Sequence, residues 1–235
     1  MKTMQMRKEI RMLRTAVALA IGCVLVVSGD LAAAGGVTKV IDSGRAPRFA
    51  DSLPQKRYEI RNPKNAIVTL ETNFGKMVLE LYRDVSPAHA DSFLARCEDG
   101  FYSGTKFHRI IKNFMIQGGN PFLVAKQAVT YYLPNELNSL PHEFGTLSMA
   151  SRGTPTTAQT QFFICTDRNS QTKSLDGKYV VFGHLLKGFD VLWAISRVPV
   201  VAAKEFPGAE QSSPTQDVLL QKAYRSDAEG NALKK

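Results

Sequence analysis

The sequence contains one tryptophan, Trp193, and three cysteines in 235 residues. Cys23, Cys97 and Cys165 form no Cys-x-x-Cys pair, which excludes the common zinc and dithiol redox motifs. His89, His108, His142 and His184 are far apart and lack metal-ligand spacing, so no structural metal is expected. An apolar run at residues 16–27 falls short of the roughly 20 residues that span a bilayer as a helix. The pair Gly118-Gly119 has neither the flanking glycine spacing nor the Lys-Ser/Thr of a phosphate-binding loop. There is no internal repeat or low-complexity segment. No basic run is interleaved with aromatics, which argues against dedicated nucleic-acid binding.

What remains is an ordinary globular composition, 44% apolar, in a chain long enough for one domain plus extensions. Of the formal charge of +9, residues 1–34 carry five basic and two acidic groups, which leaves +6 on the remainder. That balance permits weak attraction to acidic partners. Residues 1–34 read as a signal peptide: basic residues up to Arg14, the apolar run, then Ala32-Ala33-Ala34 as a small-x-small cleavage site. The alternative is an uncleaved membrane anchor. Lipidation at Cys23 is less favoured, because strongly apolar residues continue beyond it. An exported, periplasmic or secreted protein is therefore expected, with membrane contact only through an uncleaved or lipidated N-terminus.

Residues 35–63 are rich in Gly, Pro, Lys and Arg and read as a linker or extension; the domain is expected over residues 64–224, with a polar tail at 225–235. Residues 67–71 and 77–81 alternate as two arms of a hairpin. A helix follows, with Ser86 as N-cap, Pro87 at its first position, Gly100 past its end, and Ala90, Phe93, Leu94 and Cys97 on one face. Strand patterns occur at 107–111, 145–149, 161–166, 178–182 and 217–224, a second helix at 188–196, and a proline-bearing loop at 121–141. Many short strands with two separated helices predict a closed antiparallel barrel. Cys97 in a helix and Cys165 in a strand read as buried small hydrophobes, although a disulfide between them is arithmetically open.

The chemistry is concentrated in residues 107–120, Phe-His-Arg-Ile-Ile-Lys-Asn-Phe-Met-Ile-Gln-Gly-Gly-Asn, where Arg109 is set among apolar residues and Gln117 closes the run. A permanent cation and a neutral amide beside apolar side chains suit a partly buried site for an uncharged amide substrate. Two further segments follow, Leu147-Ser148-Met149-Ala150-Ser151 with Gln161-Phe162-Phe163-Ile164-Cys165, and Leu175-Asp176-Gly177-Lys178-Tyr179-Val180-Val181-Phe182-Gly183. In order and spacing the three resemble the cyclophilin family of peptidyl-prolyl isomerases. The likeness covers residues 65–224.

The resemblance implies a mainly β fold, a closed eight-stranded barrel capped by two α-helices, acting without a cofactor and as a monomer. It implies that Arg109 is the main catalytic residue, aided by Gln117, and that Phe114, Met115, Phe163 and Leu175 line the proline pocket. Ala150, Ser151, Gln161 and Tyr179 complete the substrate groove. The partners implied are proline-containing peptides and, with the signal, unfolded exported proteins. His108 has no serine or cysteine placed beside it for nucleophilic catalysis and reads as structural. The sequence departs from the best-known pattern at Ser174, Tyr179 and Ser151, where many members carry Trp, His and Asn. These departures bear on inhibitor affinity and peptide preference. The alternative function is a non-catalytic module that holds proline-containing segments as a chaperone or scaffold.

Overall fold

The computed structural model describes residues 59–120, 129–202 and 210–233. The expected signal peptide and most of the expected linker lie outside the described residues. The chain forms β1 (Ala66–Thr72), β2 (Gly75–Leu81), α1 (Pro87–Glu98), β3 (Thr105–Lys106), β4 (Arg109–Ile111) and β5 (Met115–Gly118). It continues with β6 (Thr146–Met149), a 3-10 turn (Pro155–Thr157), β7 (Phe162–Cys165), α2 (Ser170–Lys173), β8 (Val181–Lys187) and α3 (Phe189–Ser196). It closes with β9 (Val200–Ala202), β10 (Gln211–Pro214) and β11 (Leu219–Ser226). Among the described residues no helix is long and apolar enough to cross a membrane.

Among the described residues nine strands make one curled antiparallel sheet in the order β3-β11-β1-β2-β8-β6-β7-β5-β4, and β9 and β10 pair separately. The expected count of eight strands in a closed ladder is corrected here. The stretch expected as one strand at 107–111 breaks at Phe107 and His108. On one side the Phe107 N–H donates to the Val218 carbonyl, at 2.9 Å; on the other, His108 N–H donates to Gln117, at 3.0 Å. One segment of chain thus serves both edges of the sheet, and its covalent backbone joins them where no ladder does.

The sheet wraps a core in which Phe93 of α1 meets Tyr102, Phe162 and Phe182, at centroid distances of 4.9, 5.0 and 5.3 Å. Ala90, Phe93 and Cys97 recur at helical spacing and are buried, so α1 packs as its periodicity predicts. Leu192 and Ile195 bury α3 in the same way. Cys97 and Cys165 are both free and buried, and burial pushes both thiols up, with nearby acidic side chains adding to the effect.

Four local expectations change. Ser86 stands at the N-cap of α1 but makes no cap bond. It is fully buried, and its hydroxyl donates to the Val181 carbonyl at 3.0 Å. The strand expected at 178–182 starts at Val181 and runs to Lys187, because Lys178 and Tyr179 donate their N–H groups back to Leu175 in a turn through Gly177, whose φ is 69°. A third helix, the single turn α2, was not anticipated. Its Asn169 side chain accepts from the N–H groups of Gln171 and Thr172, and Thr172 reciprocates in a capping box. Finally, β11 runs two residues past Tyr224, and the polar residues after it fold back to bridge Ser226 with Ala232.

Candidate active site

Strand alternation builds the site. Along β4, β5 and β7 the residues Ile110, Ile116 and Ile164 lie in register and face the core, fully buried. Their neighbours face the other way, so Arg109 stands opposite Gln117 and Gln117 opposite Phe163. Ser148 on β6 extends that outer row. A three-residue loop joins β4 to β5 with Asn113 at φ 59°, a left-handed conformation that Asn tolerates better than most residues. It brings Phe114 and Met115 to the same face. The turn after α2 supplies Leu175 and Tyr179, and the chain leaving β6 supplies Ala150 and Ser151.

These nine residues, Arg109, Phe114, Met115, Gln117, Ala150, Ser151, Phe163, Leu175 and Tyr179, line one groove of about 280 Å³. The apolar members form a small cluster of their own, separate from the barrel core. Phe163 is its floor, with Tyr179 edge-on at 5.7 Å and the His142 ring stacked on it at 5.9 Å. Gln161 is not part of the lining. Its side-chain oxygen accepts from Gln117 Nε2 at 2.9 Å, and Gln117 Oε1 accepts from Arg109 Nη1 at 3.1 Å. Arg109 thus stands half-exposed beside an apolar hollow, its position held through a chain of two amides.

The comparisons with known proteins bear on the same residues. The family model described as "Cyclophilin type peptidyl-prolyl cis-trans isomerase/CLD" matches residues 67–224. The chain belongs to this family. A peptidyl-prolyl cis-trans isomerase of Acinetobacter baylyi is 40% identical over 160 residues, which cover 66% of this chain and 83% of that protein. Peptidyl-prolyl cis-trans isomerase B of Escherichia coli is 37% identical over 168 residues, covering 68% of this chain and 100% of that one. A crystal structure of a cyclophilin type isomerase from Cryptosporidium parvum superposes with a TM-score of 0.60 at 31% identity, over 69% of this chain and 98% of that chain. The same parvum protein, in the presence of the dipeptide Ala-Pro, gives 0.59 at 31% identity, over 68% and 99% of the two chains.

The cyclophilin groove rests on a polar support that sequence reasoning missed. Asp176 accepts the His142 N–H at 2.8 Å, lies 3.0 Å from His142 Nδ1, and is gripped by Arg168 at 2.8 and 3.1 Å. Burial alone would raise the Asp176 carboxyl, but the hydrogen bonds from Arg168 and His142 outweigh it and hold the group at about 2. His142 Nε2 lies 3.1 Å from the Ser148 hydroxyl, which also reaches the Val180 carbonyl at 2.9 Å. This Ser-His-Asp row is not a nucleophilic triad, since Ser148 is wholly buried and is not among the residues that line the groove. The readable signal was Asp176 itself, next to Leu175 in the third motif. His108, beside Arg109, is pushed down to about 4 by burial, with the Arg109 charge adding to the effect, so it is neutral at neutral pH. The other missed residue is Glu210, whose carboxylate meets Arg109 at 2.8 Å. No motif in the sequence linked those two positions.

Proposed function

We propose that this groove binds proline-containing peptides and accelerates rotation about Xaa-Pro bonds, with Arg109 as the principal catalytic residue. The observation that carries the reading is a permanently charged donor beside an apolar hollow. A prolyl amide resists rotation by about 18 to 20 kcal/mol because the nitrogen lone pair is delocalised into the carbonyl. Burying the three methylenes of the ring among Phe114, Met115, Phe163 and Leu175 contributes about 2 kcal/mol. That gain is shared by the planar and twisted amide, so it fixes the substrate without speeding rotation. Acceleration needs a group favouring the twisted amide, whose lone pair has returned to nitrogen. A guanidinium N–H directed at that nitrogen does so. Gln117 keeps a second amide N–H for the substrate backbone, and Ala150, Ser151 and Tyr179 extend the groove to flanking residues, with Gln161 acting through Gln117.

The natural substrates we propose are unfolded exported proteins, the protein itself lying outside the cytoplasm. Support for this comes from the basic, apolar and Ala-x-Ala order of residues 1–34. Uncatalysed isomerisation takes about 10 to 100 s, slow enough to limit their folding. The Ala-Pro dipeptide named with the parvum structure supports proline peptides as ligands.

The test is Arg109→Ala on a short Ala-Pro peptide in a protease-coupled assay. kcat/KM is expected to fall at least about a hundredfold, as for loss of a key electrostatic donor. The fold is expected to survive, since the side chain is 39% exposed. A folded variant with wild-type turnover would refute the assignment of Arg109. Absence of turnover in the wild type as well would favour a module that only holds proline-containing segments.

A further inference from the structure

Two sides of the Arg109 guanidinium are held. Gln117 accepts from Nη1 on one side. On the other, Glu210 Oε2 accepts from Nη2 at 2.8 Å and from Nε at 3.3 Å. Of the five N–H groups of an arginine, three are thereby engaged, and one remains on each terminal nitrogen. Glu210 immediately precedes β10, and β10 lies against β4, the strand that carries Arg109. The β9–β10 pair therefore brings a carboxylate onto Arg109, one of the residues that line the groove.

The ion pair does little for the fold, because its partners are 39% and 49% exposed and such surface pairs are screened by water and salt. Its effect falls on Arg109. A free arginine side chain samples many rotamers, and one hydrogen bond to Gln117 leaves the plane of the guanidinium free to turn about that bond. A second anchor on the Nε and Nη2 edge fixes the plane. We propose that Glu210 is a positioning residue for catalysis, orienting Arg109 so that its two uncommitted N–H groups are presented to the prolyl amide. This rests on the assignment of Arg109 as the catalytic donor.

The competing effect has the opposite sign. A carboxylate beside the guanidinium also weakens its positive potential, so a Glu210 that merely competed with substrate would make its removal activating. Full-length Glu210→Ala and Glu210→Gln proteins separate these effects. On the Ala-Pro peptide, Glu210→Ala is expected to lower kcat about threefold to tenfold with KM within about twofold, the signature of a misoriented donor. Glu210→Gln, which keeps an acceptor at the same reach, is expected to recover more than half of the lost kcat. A kcat in Glu210→Ala equal to or above that of the wild type would overturn the proposal. The Arg109 Nε–H resonance in a 15N spectrum gives an answer independent of turnover. It should shift and exchange faster with water in Glu210→Ala, and an unchanged resonance would overturn the proposal even if the wild type failed to turn over the peptide and the isomerase reading of the groove fell with it.

Discussion

Burial decides the charge state of three of the histidines. His89, His108 and His142 are all held below the ordinary histidine value by burial, which in His89 and His142 outweighs the opposing pull of Glu136 and Asp176. A depressed folded value means that the unfolded chain takes up protons first as pH falls. The stability these groups confer is complete above about 6.5 and is lost as pH falls below it. For His108 the loss levels off near 4. Asp176, held at about 2 against an ordinary 3.8, adds a further loss below that ordinary value. The unfolding midpoint is therefore expected to drop between pH 6.5 and 4, with a shallower slope in His108→Gln. Equal slopes in the two proteins would remove His108 from the account. Ser174 carries a second residue-scale expectation. Its hydroxyl donates to the Gln171 carbonyl at 2.7 Å, and it stands exposed at the end of α2 outside the groove lining. Where many family members place an indole against cyclosporin, this chain has a small polar group. Loss of an aromatic contact and a hydrogen bond corresponds to roughly tenfold to several hundredfold weaker inhibition. Titration of activity with cyclosporin checks this, Ser174→Trp should bind more tightly, and nanomolar inhibition of the wild type would contradict it.

At the scale of an element, the start of α1 shows how a loop can take over a cap. The Ser86 side chain is committed to β8, and the first-turn donors of the helix are met from 48 residues away. Glu136 accepts the N–H groups of Ala88 and His89, each at 3.0 Å, and lies 2.6 Å from His89 Nδ1. A carboxylate at a helix N-terminus also suits the positive end of the helix dipole. Glu136→Ala is expected to cost about 1 to 3 kcal/mol, since it leaves buried donors unpaired. Chemical denaturation measures this directly, and a loss below about 0.5 kcal/mol would mean that water replaces the carboxylate at no cost. The effect on the groove should be small, because α1 packs on the core side of the sheet. The element that feeds the groove, β5, ends at Gly118, and Gly119 beyond it has φ 76°. A Cβ at Gly119 would lie 2.5 Å from the Thr160 carbonyl oxygen. The Gly pair that closes the first motif is there for a tight backbone crossing.

At the scale of the whole molecule, export is the property that residues 1–34 bear on, and mass spectrometry of the secreted protein is expected to find an N-terminus near Gly35. An intact N-terminus on a cytosolic product would sink that expectation. What the sequence determined alone follows from local rules. The β1–β2 hairpin, the buried face of α1 and the identity of the groove residues were readable because alternation, helical spacing and the three motifs each lie within one short segment. Arg109, Gln117 and Phe163 were recognisable as a set before any strand was paired. The tertiary structure decided whatever depends on pairs distant in sequence. It gave the first-turn N–H groups of α1 to Glu136 and left the Ser86 hydroxyl donating to a strand carbonyl 95 residues away. It split one expected strand between two partners, because a curled sheet must hand the chain from β11 to β5. It stacked His142 on Phe163 and tied it to Asp176, and it brought Glu210 onto Arg109 across 101 residues. Local periodicity encodes which face of an element is buried; which residue meets it there is settled only when the sheet has closed around the core.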